Sequence, residues 1–305
     1  MNKFLNINNY EHYYKYPLSK ITTIKNNGYT KYIVFINNID ELIKLINYLK
    51  EKKIKYLIIG NGSKLVFINN YKGVIISLKK LNKINVNEYI EVDSGVNILT
   101  LVNKIKKYNL GGIEELSGIP SSVGGALINN SEAHNVSLYD YLIKVLVYKD
   151  KLMYLSKEEI NYSYRYSSLK DDYIVLKAYF KFKESNKELI DLNIKKYLNY
   201  RKEKQVINYP NIGSIFKNKE NIKVIEIIKK CNLENFKYKN VSFSKKHLNF
   251  ICIKDKTNGK YIYKFVRKIQ KIVKRRLKIN LESEIIFIKW KLDKKKCNII
   301  KVKID

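Results

Sequence analysis

With 305 residues, 45% of them hydrophobic and 12% aromatic, the chain reads as a soluble globular protein with a core large enough for two domains or three. Its 60 Lys+Arg against 28 Asp+Glu leave a net charge of +32, a balance that ordinarily marks a nucleic-acid partner. The lysines run the whole length of the chain among abundant Asn, Ile and Tyr, which is the pattern of AT-rich codon usage rather than of one basic face, so charge alone predicts no nucleic-acid partner.

From the N-terminus, MNKFLNINNYEHYY has no apolar core of signal-peptide length, and no run approaches the roughly 20 apolar residues of a membrane span. A turn at Asn27-Gly28 leads into a short apolar strand ending near Ile36. Asp40 reads as the cap of a helix that carries Leu42, Leu45, Ile46 and Leu49 at helical spacing. The strand Lys55 to Ile59 then runs into Gly60-Asn61-Gly62-Ser63, the start of a βαβ-type unit. Neither phosphate-binding signature fits YLIIGNGSK, because the third glycine of GxGxxG would fall at Leu65 and the GK[ST] of a P-loop is absent. A short Gly-x-Gly-Ser loop remains, able either to present backbone donors to a phosphate or to serve as a plain turn. Val74 to Leu78 continues the sheet.

The strand Tyr89 to Ser94 precedes a helix whose Ile98, Leu99, Leu101, Val102 and Ile105 form one stripe. That helix delivers the chain into Leu110 to Ala126, LGGIEELSGIPSSVGGA, which holds five of the twelve glycines and one of the three prolines. Ser117, Ser121 and Ser122 add hydroxyls to a run of small residues whose N–H groups can form an anion-binding nest. Two tight turns without a ligand, Leu116 to Pro120 and Val123 to Gly125, account for the window equally well. The window follows a helix instead of standing between strand and helix, which disfavours a Rossmann site. A loop-borne nest between two α+β subdomains fits better.

Leu142 to Tyr148 and Tyr173 to Phe182 are β-rich, and NYSYRYSSLKD lies between them with Arg165 flanked by Tyr164 and Tyr166. In a cleft that guanidinium would clamp an anion; on a surface strand it would be one basic residue among many. Ser185 to Glu188 matches an S-x-x-E capping box opening an amphipathic helix through Tyr200, and the composition shift there places a domain boundary near Glu184. In RKEKQVINYPNIGSIFKNKE, Gly213 lets Ser214 stand at a turn. With no neighbouring His and no GxSxG elbow, Ser214 is a poor candidate for a nucleophile and reads instead as a hydroxyl proton donor or a helix N-cap. Tyr261 to Leu277, with Ile262, Phe265, Val266, Ile269, Ile272 and Val273 on one face, reads as a core helix with a solvated basic back. Glu282 and Glu284 in LESEIIFI could be solvated carboxylates in a helix-to-strand connection. Cys231, Cys252 and Cys297 form no CxxC pair, so neither a zinc site nor a disulfide framework is expected, and a reducing cytoplasm fits.

Seven segments recur in one order: TT-x-x-x-x-G at Thr22, G-x-G-S at Gly60, G-I-P-x-S-V-G-G-A at Gly118, Y-R-x-S at Tyr164, Y-P-N-x-G-S-I-F-K-N at Tyr209, K-H-x-N-F at Lys246 and L-E-x-E at Leu281. In these the chain resembles the UDP-N-acetylenolpyruvoylglucosamine reductase family, in its shorter subtype without the tyrosine-bearing insertion. The resemblance implies an α+β fold: a two-subdomain FAD-binding fold of the vanillyl-alcohol-oxidase/PCMH type (about 1–80 and 81–184) and a C-terminal α/β substrate domain (185–305), with the last strand returning to the FAD part. It implies that NADPH reduces FAD, which passes a hydride to C3 of the enolpyruvyl group of UDP-N-acetylglucosamine enolpyruvate, giving UDP-N-acetylmuramate for peptidoglycan.

Carried over residue by residue, Ser214 matches the proton donor to C2, and Arg165 and Glu284 match the charged residues that stabilise the enol-like intermediate. Lys217 and Asn218 match sugar-nucleotide contacts. Gly60, Asn61, Gly62, Ser63 and Lys64 would hold FAD together with Ser117, Gly118, Ile119, Pro120, Ser121, Ser122, Gly124, Gly125 and Ala126, the second run wrapping the pyrophosphate. The implied setting is a cytoplasmic monomer acting on a small-molecule sugar nucleotide, without metal, membrane or nucleic acid. Lys64 replaces the usual Asn and Ser121 the usual Gly, while Glu132 and Asn135 stand in a segment that is usually N-A-G-A-x-G; weakened FAD affinity is therefore expected. Another FAD oxidoreductase of the same fold would share the cofactor loops but not the G-S-I-F, Y-R and L-E-x-E trio. A basic nucleic-acid-binding protein would carry an RNA-recognition or helix-turn-helix signature, and neither is present.

Overall fold

Strand Tyr29–Phe35 pairs antiparallel with Glu11–Pro17 on one side and parallel with Tyr71–Ser77 on the other, and Tyr56–Ile59 completes this four-stranded sheet. The computed structural model describes residues 1–290 apart from 208, 220, 221, 254 and 255, together with a strand at Ile299–Val302; Cys297 lies outside the described residues. Alternate side chains of the central strands face opposite sides of the sheet. Val34, Val74 and Ile76 meet Leu42, Leu45, Ile46 and Leu49 of helix Ile39–Glu51, whereas Ile33 and Ile75 pack with Phe67 and Ile288. Burial on both faces is why these strands read as continuous apolar runs. The helix begins one residue before Asp40. Its cap is Asn38, whose Oδ1 accepts from the Glu41 N–H at 2.9 Å, because Ile39 already packs against the core; Asp40 sits in the first turn, where its charge suits the helix dipole.

The second sheet is antiparallel throughout, in the order Leu152–Ser156, Leu142–Tyr148, Ile174–Phe180, Ile90–Asp93, Ile84–Val86. Ile98, Leu101, Val102 and Ile105 of helix Ile98–Lys106 are buried against it. Leu99, which the sequence placed in that stripe, is 39% exposed and does not belong to the buried face. Helix Lys187–Lys204 rides on this sheet's core through Ile190 and Ile194. Its cap is Asn186, which accepts from the N–H groups of Glu188 at 2.7 Å and Leu189 at 3.4 Å. The predicted box is thus displaced by one residue. The Ser185 N–H is held instead by the Asn109 carbonyl at 2.8 Å, next to the pairing of Lys183–Glu184 with Leu110–Gly111.

A third core is built by helices Val224–Lys230 and Gly259–Leu277 on a small antiparallel sheet of Lys237–Tyr238, Val241–Phe243 and Ile251–Cys252. The apolar face predicted for the longer helix is buried: Ile262, Phe265, Val266, Ile269 and Val273 are enclosed and Ile272 packs at the margin. Strand Ile286–Trp290 then returns to pair parallel with Leu65–Phe67 and antiparallel with Ile299–Val302. That return brings the L-E-x-E segment beside the Gly-x-Gly-Ser turn. No helix among the described residues is long and apolar enough to cross a membrane.

Candidate active site

The two glycine-rich segments touch. Gly62 has φ +65°, and a Cβ there would stand 2.0 Å from the Ile21 carbonyl oxygen, so only glycine fits. At Gly60 a Cβ would meet the Ser122 hydroxyl at 2.3 Å. Contrary to the sequence expectation, the second segment also opens a helix, Val123–Ile128, because Ser122 caps it by accepting from the Gly125 N–H at 3.2 Å. Gly124 lies against Ser94, where a Cβ would come within 2.8 Å of the Ser94 Cβ. Around this junction the buried hydroxyls of Thr23, Ser94 and Ser117 have no hydrogen-bond partner among the described residues. Buried polar atoms are almost always paired, so these orphans point to a hydrogen-bonding ligand.

Beside the junction opens a cavity of about 360 Å³, lined by Ser63, Lys64, Ile119, Pro120, Ser121, Arg165, Ser214, Lys217 and Glu284 among others. Gly213, at φ +69°, turns the chain so that Ser214 bridges Phe250. The backbone after Ser214 is gripped from both sides. The Ile215 N–H donates to the Asn249 carbonyl at 2.8 Å. Asn249 also accepts from the Phe216 N–H at 3.0 Å and donates to the Phe216 carbonyl at 2.8 Å. On the other flank the Glu284 N–H donates to the Ile215 carbonyl at 2.8 Å, and the Lys217 N–H to the Glu282 carbonyl at 2.9 Å. L-E-x-E is therefore a short ladder beside Ser214, and the Glu284 side chain, 6% exposed, is no solvated carboxylate.

Arg165 sits at φ +57° in the tight turn between Tyr162–Ser163 and Tyr166–Ser167. A residue with a side chain held there is strained, a condition common at functional sites. Its guanidinium lies 4.8 Å from the centre of the Tyr164 ring and contacts the Asn130 and Glu132 carbonyls at 3.4 and 3.5 Å. Its Nε is 3.5 Å from Glu284 Oε1. Burial holds the Tyr164 hydroxyl above the ordinary tyrosine pKa, with Arg165 opposing that shift. Glu284 Oε2 lies 2.8 Å from Lys64 Nζ, which also donates to the Ser214 carbonyl at 2.9 Å. Lys217 pairs with Glu282 at 2.5 Å.

Three predicted site residues from distant positions, Arg165, Ser214 and Glu284, thus share one wall, with Lys64 and Lys217 beside them. Gly60, Asn61, Gly62, Ser117, Gly118, Ser122, Gly124, Gly125 and Ala126 do not line the cavity; Gly60, Gly62 and Ser122–Ala126 form the loop junction. The Asn61 amide donates to Asn97. Asn218 is turned away, its Oδ1 accepting from the Val224 N–H at 3.1 Å at the start of helix Val224–Lys230. Of the three residues that replace glycine in the pattern, Glu132 lines the cavity, and the other two have local contacts or backbone that suit them. Ser121 donates its hydroxyl to the Ser122 carbonyl at 3.0 Å, and Asn135 adopts φ +64°, which asparagine tolerates better than most residues.

Sequence reasoning gave Asn249 no role beyond membership of K-H-x-N-F, yet it is the clamp of the Ser214 segment. Asn249→Ala leaves the buried Phe216 N–H and carbonyl unpaired and should lower stability by about 2–4 kcal/mol, measured by urea unfolding with the wild type as reference. Arg201 was missed as well. Its stem covers Gly118, where a Cβ would stand 2.4 Å from the Arg201 Cδ. Burial pushes its guanidinium pKa down to about 10, and it lines the cavity beside Gln205, whose buried Oε1 has no partner among the described residues. Among 60 Lys+Arg, no sequence signal separates this arginine from solvated ones.

A family model described as an FAD binding domain matches residues 30–151, and one described as the UDP-N-acetylenolpyruvoylglucosamine reductase C-terminal domain matches residues 205–288. The UDP-N-acetylenolpyruvoylglucosamine reductase of Carboxydothermus hydrogenoformans is 31% identical over 275 residues, which are 88% of this chain and 91% of that protein. The chain belongs to the UDP-N-acetylenolpyruvoylglucosamine reductase family. The Aquifex aeolicus member of this reductase family is 36% identical over 242 residues, 77% of this chain and 81% of its own length. The crystal structure of the Thermus caldophilus reductase superimposes with a TM-score of 0.76 at 25% identity, covering 91% of this chain and 98% of that one. An FAD-binding domain followed by the reductase C-terminal domain is the α+β architecture expected from the motifs.

Proposed function

We infer that this chain catalyses the NADPH-dependent, FAD-mediated reduction of UDP-N-acetylglucosamine enolpyruvate to UDP-N-acetylmuramate for peptidoglycan synthesis, with Arg165, Ser214 and Glu284 as its catalytic groups. The observation that carries the assignment of roles is the meeting of residues 165, 214 and 284 on one cavity wall, with Arg165 Nε 3.5 Å from Glu284 and the Glu284 backbone bonded to Ile215. The chain fits the cofactor. Three orphaned hydroxyls, the touching glycine-rich segments and the buried guanidinium of Arg201 offer donors and positive charge to a dinucleotide diphosphate.

Bound FAD would supply the redox chemistry, relaying a hydride from NADPH to C3 of the enolpyruvyl group. Hydride addition drives the C2=C3 electron pair onto C2 and its carboxylate. Arg165, fixed before the reaction by Tyr164 and two carbonyls, stabilises that charge as it develops. Ser214 gives its hydroxyl proton to C2. Serine is a weak acid, so the transfer depends on a carbanion-like acceptor and on placement, and the Asn249 and Glu284 hydrogen bonds provide placement. Lys217 contacts the sugar nucleotide from the wall, and Asn218 supports it from behind, its side chain accepting from the Val224 N–H.

The working parts in this reading are residues 1–80, 81–184 and 185–305. In this reading the enzyme acts as a cytoplasmic monomer without nucleic acid; the lysines scattered along the chain, with no single basic face, support the last of these. Anaerobic mixing of the reduced, FAD-loaded protein with the enolpyruvyl sugar nucleotide tests the function. Flavin absorbance should return with that substrate and not with UDP-N-acetylglucosamine; no return with either would remove the assignment.

A further inference from the structure

Lys64 belongs to the turn that the sequence assigns to the cofactor, but its side chain goes elsewhere. Its ammonium is 2.8 Å from Glu284 Oε2 and 2.9 Å from the Ser214 carbonyl, so it bridges two of the three proposed catalytic residues. The reach is set by the sheet. Leu65 pairs with Ile286, and the Ile286 N–H donates to the Lys64 carbonyl at 2.8 Å, which fixes residue 64 beside the segment that carries Glu284. Gly213 leaves room for the ammonium, since a Cβ there would stand 3.3 Å from Lys64 Nζ.

The charge balance gives this contact a consequence. Arg165 and Glu284 alone sum to zero, and a buried carboxylate 3.5 Å from the guanidinium would compete with the carboxylate of the substrate for it. With Lys64 the cluster carries +1. Lys64 is also the nearer of the two cations to Glu284, and among the described residues the terminal nitrogens of Arg165 hydrogen-bond to main-chain carbonyls at 3.4 and 3.5 Å. We propose that Lys64 is a positioning residue for the reduction: it takes up the charge of Glu284 and ties it to the Ser214 segment, leaving Arg165 free to receive the carboxylate of the enolpyruvyl group.

This rests on the function proposed above, and the test separates the two. Lys64→Met and Lys64→Arg are compared with the wild type as FAD-loaded proteins. The readouts are FAD retention, thermal midpoint, flavin reduction by NADPH, substrate affinity from the spectral shift of the oxidised flavin, and anaerobic reoxidation by the enolpyruvyl sugar nucleotide. Lys64→Met should weaken substrate affinity and slow reoxidation by about ten- to a hundredfold, the range of one hydrogen bond to a charged group. FAD retention and flavin reduction should stay at wild-type level, and Lys64→Arg should recover most of the loss. Placed in a Glu284→Gln background, Lys64→Met should lose most of its effect on affinity, because the charge it balances is gone. Unchanged affinity and reoxidation in Lys64→Met overturn the proposal, as does a loss of FAD retention in proportion to activity, which would make Lys64 a cofactor residue. A wild type that binds the sugar nucleotide but is never reoxidised by it overturns the functional reading instead, and the affinity comparison still decides Lys64.

Discussion

Ser214→Ala should lower turnover by about 10²- to 10⁴-fold, the contribution of a positioned general acid, while NADPH still reduces the flavin at the wild-type rate. The substitution removes one oxygen and leaves the frame alone. Gly213 keeps its φ of +69°, the bridge to Phe250 is main-chain, and the Asn249 and Glu284 hydrogen bonds fall on Ile215 and Phe216. The loss should therefore appear in reoxidation alone, measured by anaerobic stopped-flow absorbance of each half-reaction. Equal slowing of both half-reactions, or wild-type turnover, would remove Ser214 as the proton donor.

Arg165→Met should cost about 10²- to 10³-fold in kcat/KM, the worth of one preorganised group facing developing negative charge. Methionine keeps much of the length and the contact with the Tyr164 ring but neither the charge nor the fork. Arg165→Lys should recover only part of the loss, since an ammonium cannot present two parallel donors to a carboxylate. Glu284 has Lys64 at 2.8 Å as a second cation, so neither variant should leave it as an unpaired buried charge. Steady-state kinetics on the two variants would contradict the account if Arg165→Met retained wild-type kcat/KM.

Much of this site was legible because its residues sit in short, unusual segments. Glycines at Gly60, Gly62 and Gly124 mark places where backbone meets backbone or a neighbouring serine, and Gly213 marks the turn that presents Ser214. Elements with strong periodicity were legible for a similar reason: the stripe of Gly259–Leu277 is the face buried in the third core. Caps were not. Asn38 and Asn186 displaced Asp40 and Ser185 because the start of each helix is set by where its first apolar side chain docks and by what already holds the preceding N–H, and neither is local information.

Long side chains were the least legible. Lys64 stands one residue after Ser63 in the predicted cofactor loop and yet serves Glu284, 220 positions away, through a strand pairing that nothing near Lys64 announces. Arg201 looks like its neighbours Lys202 and Lys204 in sequence, and only packing over Gly118 distinguishes it. Glu284 reads as a solvated carboxylate in sequence, and the return of strand Ile286–Trp290 to Leu65–Phe67 is what buries it. In each case the sequence names the chemical group, and the return of a distant element gives it a partner.

In the proposed function one cavity performs a flavin-mediated reduction of an enolpyruvyl sugar nucleotide. The most direct test is NADPH consumption by the FAD-loaded protein under anaerobic conditions, with the product identified by mass spectrometry. NADPH should be consumed mole for mole with UDP-N-acetylglucosamine enolpyruvate, and the product should be heavier by two hydrogens, at the mass of UDP-N-acetylmuramate. NADPH consumption that is indifferent to the sugar nucleotide, with its mass unchanged, would contradict the account.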